Sequence, residues 1–118
     1  MHQPPEKIWR DGLAAGRFLL QRDASDGTHY FPPRIATPTG GTLEWVEAKG
    51  TGSVYSVTVV RPKPPEEPYN VVLVDLEEGP RLMSRVEGLA PDAIAIGLRV
   101  VAQIGDHQGD PLILFHPA

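Results

Sequence analysis

From residue 43 onward, apolar and polar positions alternate in short runs, and a period of two predicts strands. Thr42–Ala48 alternates, with Leu43, Trp45 and Ala48 as its apolar members. Ser53–Arg61 (SVYSVTVVR) is rich in β-branched residues and tyrosine, which suit a pleated surface. Strict alternation would put Val54, Ser56, Thr58 and Val60 on one face and Tyr55, Val57, Val59 and Arg61 on the other. Gly50 and Gly52 flank Thr51 and predict a bulge or sharp bend inside one long strand. Pro62–Pro68 (PKPPEEP) lacks the amides a ladder needs and is a loop. Tyr69–Leu76 and Arg81–Val86 are strands joined by a turn at Glu77–Pro80. Pro91–Ile96 is a short helical turn, Leu98–Ile104 a fourth strand, Asp106–Pro111 a polar loop and Leu112–Phe115 a fifth strand.

Helical period is confined to the start of the chain. Over Pro5–Gly16, Trp9 and Leu13 stand four apart on one face, with Ile8 beside them. Pro4 and Pro5 suit a first turn, Glu6 suits the positive end of the helix dipole, and Gly16 suits the stop. Gly12 weakens such a helix by about 1 kcal/mol relative to alanine. A helix this short needs a surface to pack on. Arg17–Arg22 follows as a strand. The element order from residue 43, three strands, a short helix and two more strands, is that of the OB-fold, a small five-stranded Greek-key barrel. The expected architecture is mostly β, with residues 1–42 as an N-terminal helix and ribbon-like segment and residues 43–118 as the barrel.

The segment between helix and barrel has the spacing of a small zinc ribbon. Two positions three apart precede an aromatic-proline turn, and two more positions three apart follow it. Four thiolates occupy such positions when Zn²⁺ is bound. Here they are Asp23, Asp26, Thr37 and Gly40, and the chain has no cysteine. Asp23, Asp26 and His29 could be weighed as a hard-metal set. Thr37 and Gly40 supply no matching ligand, so the two aspartates are expected to cap turns. The ribbon is expected to be metal-free, held by packing of Tyr30, Phe31, Pro32 and Pro33.

Composition narrows the function. Thirteen prolines and twelve glycines in 118 residues punctuate the chain into short elements. The net charge of −4 lacks the basic stripe that nucleic-acid binding calls for. The N-terminal stretch MHQPPEKIWRDG has no long apolar run, so neither a signal peptide nor a membrane span is expected, and the expected location is cytoplasmic. Catalytic candidates are sparse. His2, His29, His107 and His116 are scattered, and Ser53, Ser56 and Ser84 lie in strands away from any G-x-S-x-G elbow. No catalytic residue and no cofactor are expected.

The segments IWRDGLAAGRFLLQR, YFPPR, LEWVEAKGTGSVYSVTVVRPKPPEEPY, VVLVDLEEGPRLMSRVEG and IGLRVVAQ run in order along nearly the whole chain. Together they resemble the DUF35 family, whose members join a rubredoxin-like zinc ribbon to an OB-fold. The resemblance implies an accessory subunit that associates with a thiolase-like, lipid-transfer-type or hydratase-like acyl-CoA enzyme and helps shape its acyl-CoA pocket. It also implies four zinc-ligating cysteines, all of which this chain lacks.

Coenzyme A carries phosphates, which want arginine or lysine, and an adenine face, which wants an aromatic platform. Arg34, Arg61, Lys63, Tyr55 and Tyr69 are therefore the expected acyl-CoA contacts. Ile8, Trp9 and Leu13 on the short helix are the expected partner contacts. Exposed edge strands would also permit a homodimer when the partner is absent. The alternative is a single-stranded nucleic-acid-binding OB barrel, which few aromatics and a negative charge disfavour.

Overall fold

Pro5 opens helix α1 (Pro5–Ala14), where a missing amide hydrogen removes no helical bond. The computed structural model describes residues 4–118; the expectation for His2 lies outside them. Glu6 sits in the first turn. At the other end Gly16 takes φ +82°. Its N–H donates to the Leu13 carbonyl at 2.9 Å, and the Arg17 N–H donates to the Gly12 carbonyl at 2.8 Å. These two bonds make a Schellman cap. Gly12 has a packing role that its low helix propensity hides: a Cβ there would stand 2.7 Å from Leu19 Cδ1. The helix thus lies directly on the next strand. No helix among the described residues is long and apolar enough to cross a membrane.

Strands β1 (Leu19–Asp23), β2 (His29–Tyr30) and β3 (Leu43–Glu47) form a front sheet in the order β2-β1-β3. Both pairings are antiparallel. The expected long strand through residues 42–61 is therefore divided between two sheets. Leu43–Glu47 pairs with β1, and the chain crosses at Lys49–Gly50, where Gly50 has φ +78°. The bend expected at the glycines is real, and it changes the sheet. The turn at Glu77–Pro80 grips this crossing, with the Lys49 N–H donating to Glu78 Oε2 at 2.7 Å and the Glu77 N–H to the Thr51 carbonyl at 3.1 Å.

The second sheet holds β4 (Thr51–Val60), β5 (Tyr69–Leu76), β6 (Arg81–Ser84), β7 (Arg99–His107) and β8 (Asp110–Pro117) in the order β6-β5-β4-β7-β8. A parallel bridge between Val86 and Phe115 brings the two edges together. The Glu87 N–H donates to the Phe115 carbonyl at 2.8 Å and the Phe115 N–H to the Arg85 carbonyl at 3.0 Å. The sheet closes into the OB barrel that the element order predicts. Buried Asn70 fastens the seam. Its Nδ2 donates to the Val86 carbonyl and its Oδ1 accepts from the Val86 N–H, both at 2.9 Å.

Three local expectations are corrected. A bulge at Tyr55 shifts the register between Val54↔Val74 and Ser56↔Leu73. One extra residue inverts the facing beyond it, so Val54 and then Val57 and Val59 share a face with buried Val74, Val72 and Asn70. Strict alternation fails for that reason. The polar stretch Asp106–Pro111 is not a loop. β7 continues to His107 and returns at Asp110 through Gln108 (φ +53°) and Gly109 (φ +88°), the two positive φ values of a type I′ hairpin. The helical turn shortens to a 3-10 turn, Pro91–Ala93, and Ile94 beyond it enters the core.

One hydrophobic cluster spans both sheets. Leu13, Phe18 and Leu20 from the front pack with Val54, Val72, Val74, Val100 and Phe115 of the barrel.

Candidate functional site

The ribbon-like segment keeps the form of two turns without thiolates. Asp23 ends β1 with its side chain fully buried. Oδ1 accepts from the Ser25 N–H at 2.8 Å and Oδ2 accepts from the Thr39 hydroxyl at 2.5 Å. The Thr39 hydroxyl also meets that of Thr37 at 2.9 Å. Backbone bonds close each turn: the Gly27 N–H to the Asp23 carbonyl at 2.8 Å, and the Gly40 N–H to the Thr37 carbonyl at 3.0 Å. Asp26 caps its own turn through the Thr28 N–H at 2.9 Å. Gly41 leaves room for all of this, since a Cβ there would stand 2.5 Å from Asp23 Oδ1. Hydrogen bonds from the Thr39 hydroxyl first, then the Ser25 amide, hold the Asp23 carboxyl below its ordinary value, against the opposing pull of burial.

Between the two turns runs the Phe-Pro-Pro-Arg segment. Phe31 packs on Trp9, with ring centroids 5.4 Å apart at 56°. Trp9, Phe31, Pro32 and Pro33, with Glu6, line a hollow of about 340 Å³. The Trp9 indole N–H has no hydrogen-bond partner among the described residues. Buried Gln21 holds the segment's far end. Its Nε2 donates to the Arg34 carbonyl at 2.9 Å and its Oε1 accepts from the Arg34 N–H at 2.7 Å. The Arg34 guanidinium lies 4.3 Å from the centre of the Tyr30 ring. Ile35 follows, 89% exposed.

The other expected acyl-CoA contacts lie on the barrel. Tyr55 projects from its bulge, and the Arg81 guanidinium covers its ring at 3.4 Å. Asp75 fixes Arg81 through Oδ1 at 2.6 Å. Tyr69 is opposite Val60 at the far end of the same ladder. Five residues of strand rise separate the two tyrosines by roughly 17 Å. Arg61 pairs with Asp92 at 2.7 Å and Lys63 lies in the proline loop near it. Arg61, Lys63 and Tyr69 thus cluster at one end, Tyr55 stands at the other, and Arg34 belongs to the front segment. Among the expected partner contacts, Leu13 is 1% exposed and belongs to the chain's own core, a correction forced by the Gly12 contact that seats α1 on β1. Ile8 and Trp9 remain half-buried on the helix surface.

Residues 45–104 match the family model described as the ChsH2 C-terminal OB-fold domain. A DUF35 domain-containing scaffold protein of Pyrococcus furiosus is 31% identical over 92% of this chain and 86% of its own length. The chain belongs to the DUF35 family. A probable enoyl-CoA hydratase alpha subunit of Thermomonospora curvata is 41% identical over 94% of this chain. The chain spans 37% of that subunit's length. A chain of the Ltp2-ChsH2(DUF35) aldolase superposes with a TM-score of 0.83 at 37% identity, covering 98% of this chain and 96% of that one.

Zinc does not fit this DUF35 chain. Of the four ligand positions, Gly40 has no side chain, the Thr37 hydroxyl is bonded to Thr39, and both Asp23 oxygens already accept protein hydrogen bonds. Soft tetrahedral thiolate chemistry has no counterpart here. The same hydrogen bonds explain how a DUF35 ribbon lacking cysteine keeps its shape. Gln21, Asn70 and Arg81 escaped sequence reasoning. A lone polar residue inside an apolar strand (YNVVLV) is the signal that could have found Asn70, because a buried amide must satisfy both its ends; Gln21, in the polar run Gln21-Arg22-Asp23, carries no such signal.

Proposed function

We propose that this DUF35 chain is a non-catalytic accessory subunit that docks on a thiolase-like or lipid-transfer-type acyl-CoA enzyme and helps bind the acyl-CoA. The observation that carries this reading is the end-to-end likeness to a chain of the Ltp2-ChsH2(DUF35) aldolase. The local chemistry agrees with it. Several surface charges serve structure, as Arg81 does with Asp75 and Arg22 with Glu44. In the accessory role, the helix and the Phe-Pro-Pro-Arg segment meet the enzyme. Arg61, Lys63 and Tyr69 offer a cationic and aromatic end to a coenzyme A nucleotide. A hydratase-like partner is the second reading, favoured by the likeness to a hydratase alpha subunit.

Co-expression with thiolase-like acyl-CoA enzymes of the same genome tests the proposal. The expected result is a stable complex by size-exclusion chromatography with light scattering, and an enzyme activity on acyl-CoA that falls when the chain is withheld. Two separate peaks at micromolar concentration, with activity indifferent to the chain, would overturn it. A complex formed only with a hydratase would transfer the role to the second reading.

A further inference from the structure

We infer that Arg34 and Ile35 form the chain's anchor for its enzyme partner, entering an apolar pocket rimmed by carboxylate on that protein; this rests on the accessory role proposed above. Charge is the first support. The chain's other seven arginines each pair with a carboxylate. Among the described residues Arg34 has no such partner and only the Tyr30 ring beneath it. In an acidic chain with 15 carboxylate side chains against 11 basic ones, an arginine left without an anion is exceptional. Its complement must come from outside.

Exposure is the second support. Ile35 is the most exposed large apolar residue of the described chain, at 89%. A lone exposed apolar residue is common on any surface. One beside an unpaired arginine, on a segment held rigid from beneath, is a different arrangement. Gln21 is 3% exposed and spends both ends of its amide on the Arg34 backbone. A loop so fastened loses little conformational freedom on binding, which is how preorganised anchors raise affinity. Next along the chain, Pro32 and Pro33 line the hollow that Trp9 and Phe31 floor. A projecting side chain and an adjoining recess give the surface both halves of an interlocking contact. The Arg34 guanidinium, planar and forked, suits a partner carboxylate held bidentately.

The test is the affinity of this chain for the thiolase-like enzyme with which it co-purifies on co-expression, measured by calorimetry for wild type, Arg34→Glu, Ile35→Ser and, elsewhere on the surface, Ile96→Ser. Both anchor variants should weaken binding at least fivefold, the Arg34 effect shrinking as salt rises, with Ile96→Ser unchanged. Circular dichroism should match wild type throughout, since neither side chain is buried. If wild type binds and either anchor variant loses less than fivefold, or Ile96→Ser loses as much, the inference fails while the accessory role stands. If wild type itself does not bind, the accessory role fails first. A loss of coenzyme A affinity by Arg34→Glu with partner affinity intact would assign Arg34 to the small molecule and overturn the protein anchor.

Discussion

The Asp23 carboxylate accepts the Thr39 hydroxyl at 2.5 Å across sixteen residues of chain, and this contact joins the two turns that a metal ion joins in a zinc ribbon. A charge-assisted hydrogen bond is directional and needs no divalent ion. It also makes the front segment sensitive to acid.

A carboxyl whose value is lowered by folding binds its proton more tightly in the unfolded chain. Asp23 therefore contributes stability that is fully present above the ordinary aspartate value of 3.8 and is lost as pH falls through the lower folded value. Thermal melts should show a wild-type stability that falls below pH 4 more steeply than that of Asp23→Asn, which should already be less stable at neutral pH. Chelator should leave the wild-type melt unchanged. A chelator-induced drop in melting temperature would contradict the hydrogen-bonded ribbon.

Leu13 is part of the core and turns no surface to a partner. Leu13→Ala should lower the stability of the isolated chain by about 2–5 kcal/mol, the range for deleting a buried leucine side chain. Ile8→Ala, at a half-buried position, should cost less than half as much. Urea titration of the two variants checks the ranking, and equal losses would mean that the helix is not seated as described.

Asn70 completes the seam of the barrel from beneath. Asn70→Ala strands the Val86 N–H and carbonyl in a buried site, and each unsatisfied group costs about 1–3 kcal/mol. With two such groups the variant should lose about 2–6 kcal/mol. Amide exchange should accelerate first at Val86, Glu87 and Phe115, the residues that carry the closing bonds. Uniform acceleration throughout the chain would place the weak point elsewhere.

The barrel was legible because its strands alternate and its turns carry glycine and proline at the positions where backbone geometry requires them. The Schellman cap at Gly16 and the hairpin turn at Gly79 follow from local chemistry alone. What escaped was set by tertiary geometry. A bulge at Tyr55 adds no residue type that a pattern would flag, yet it inverts every side chain after it. Leu43–Glu47 alternates equally well beside β1 or inside the barrel, so its partner strand had to be observed. The front site was half legible. The Phe-Pro-Pro-Arg motif and the empty ligand positions stood out, whereas Gln21, which fixes Arg34, sits thirteen residues away and meets it only through folding.

The chain crosses between its two sheets at Lys49–Gly50, yet Leu13, Phe18 and Leu20 share a single buried cluster with Phe115. A core shared by both sheets predicts one thermodynamic unit. Heat or denaturant should melt it in a single cooperative transition, and a fragment beginning at Gly50 would present a naked oily flank to water.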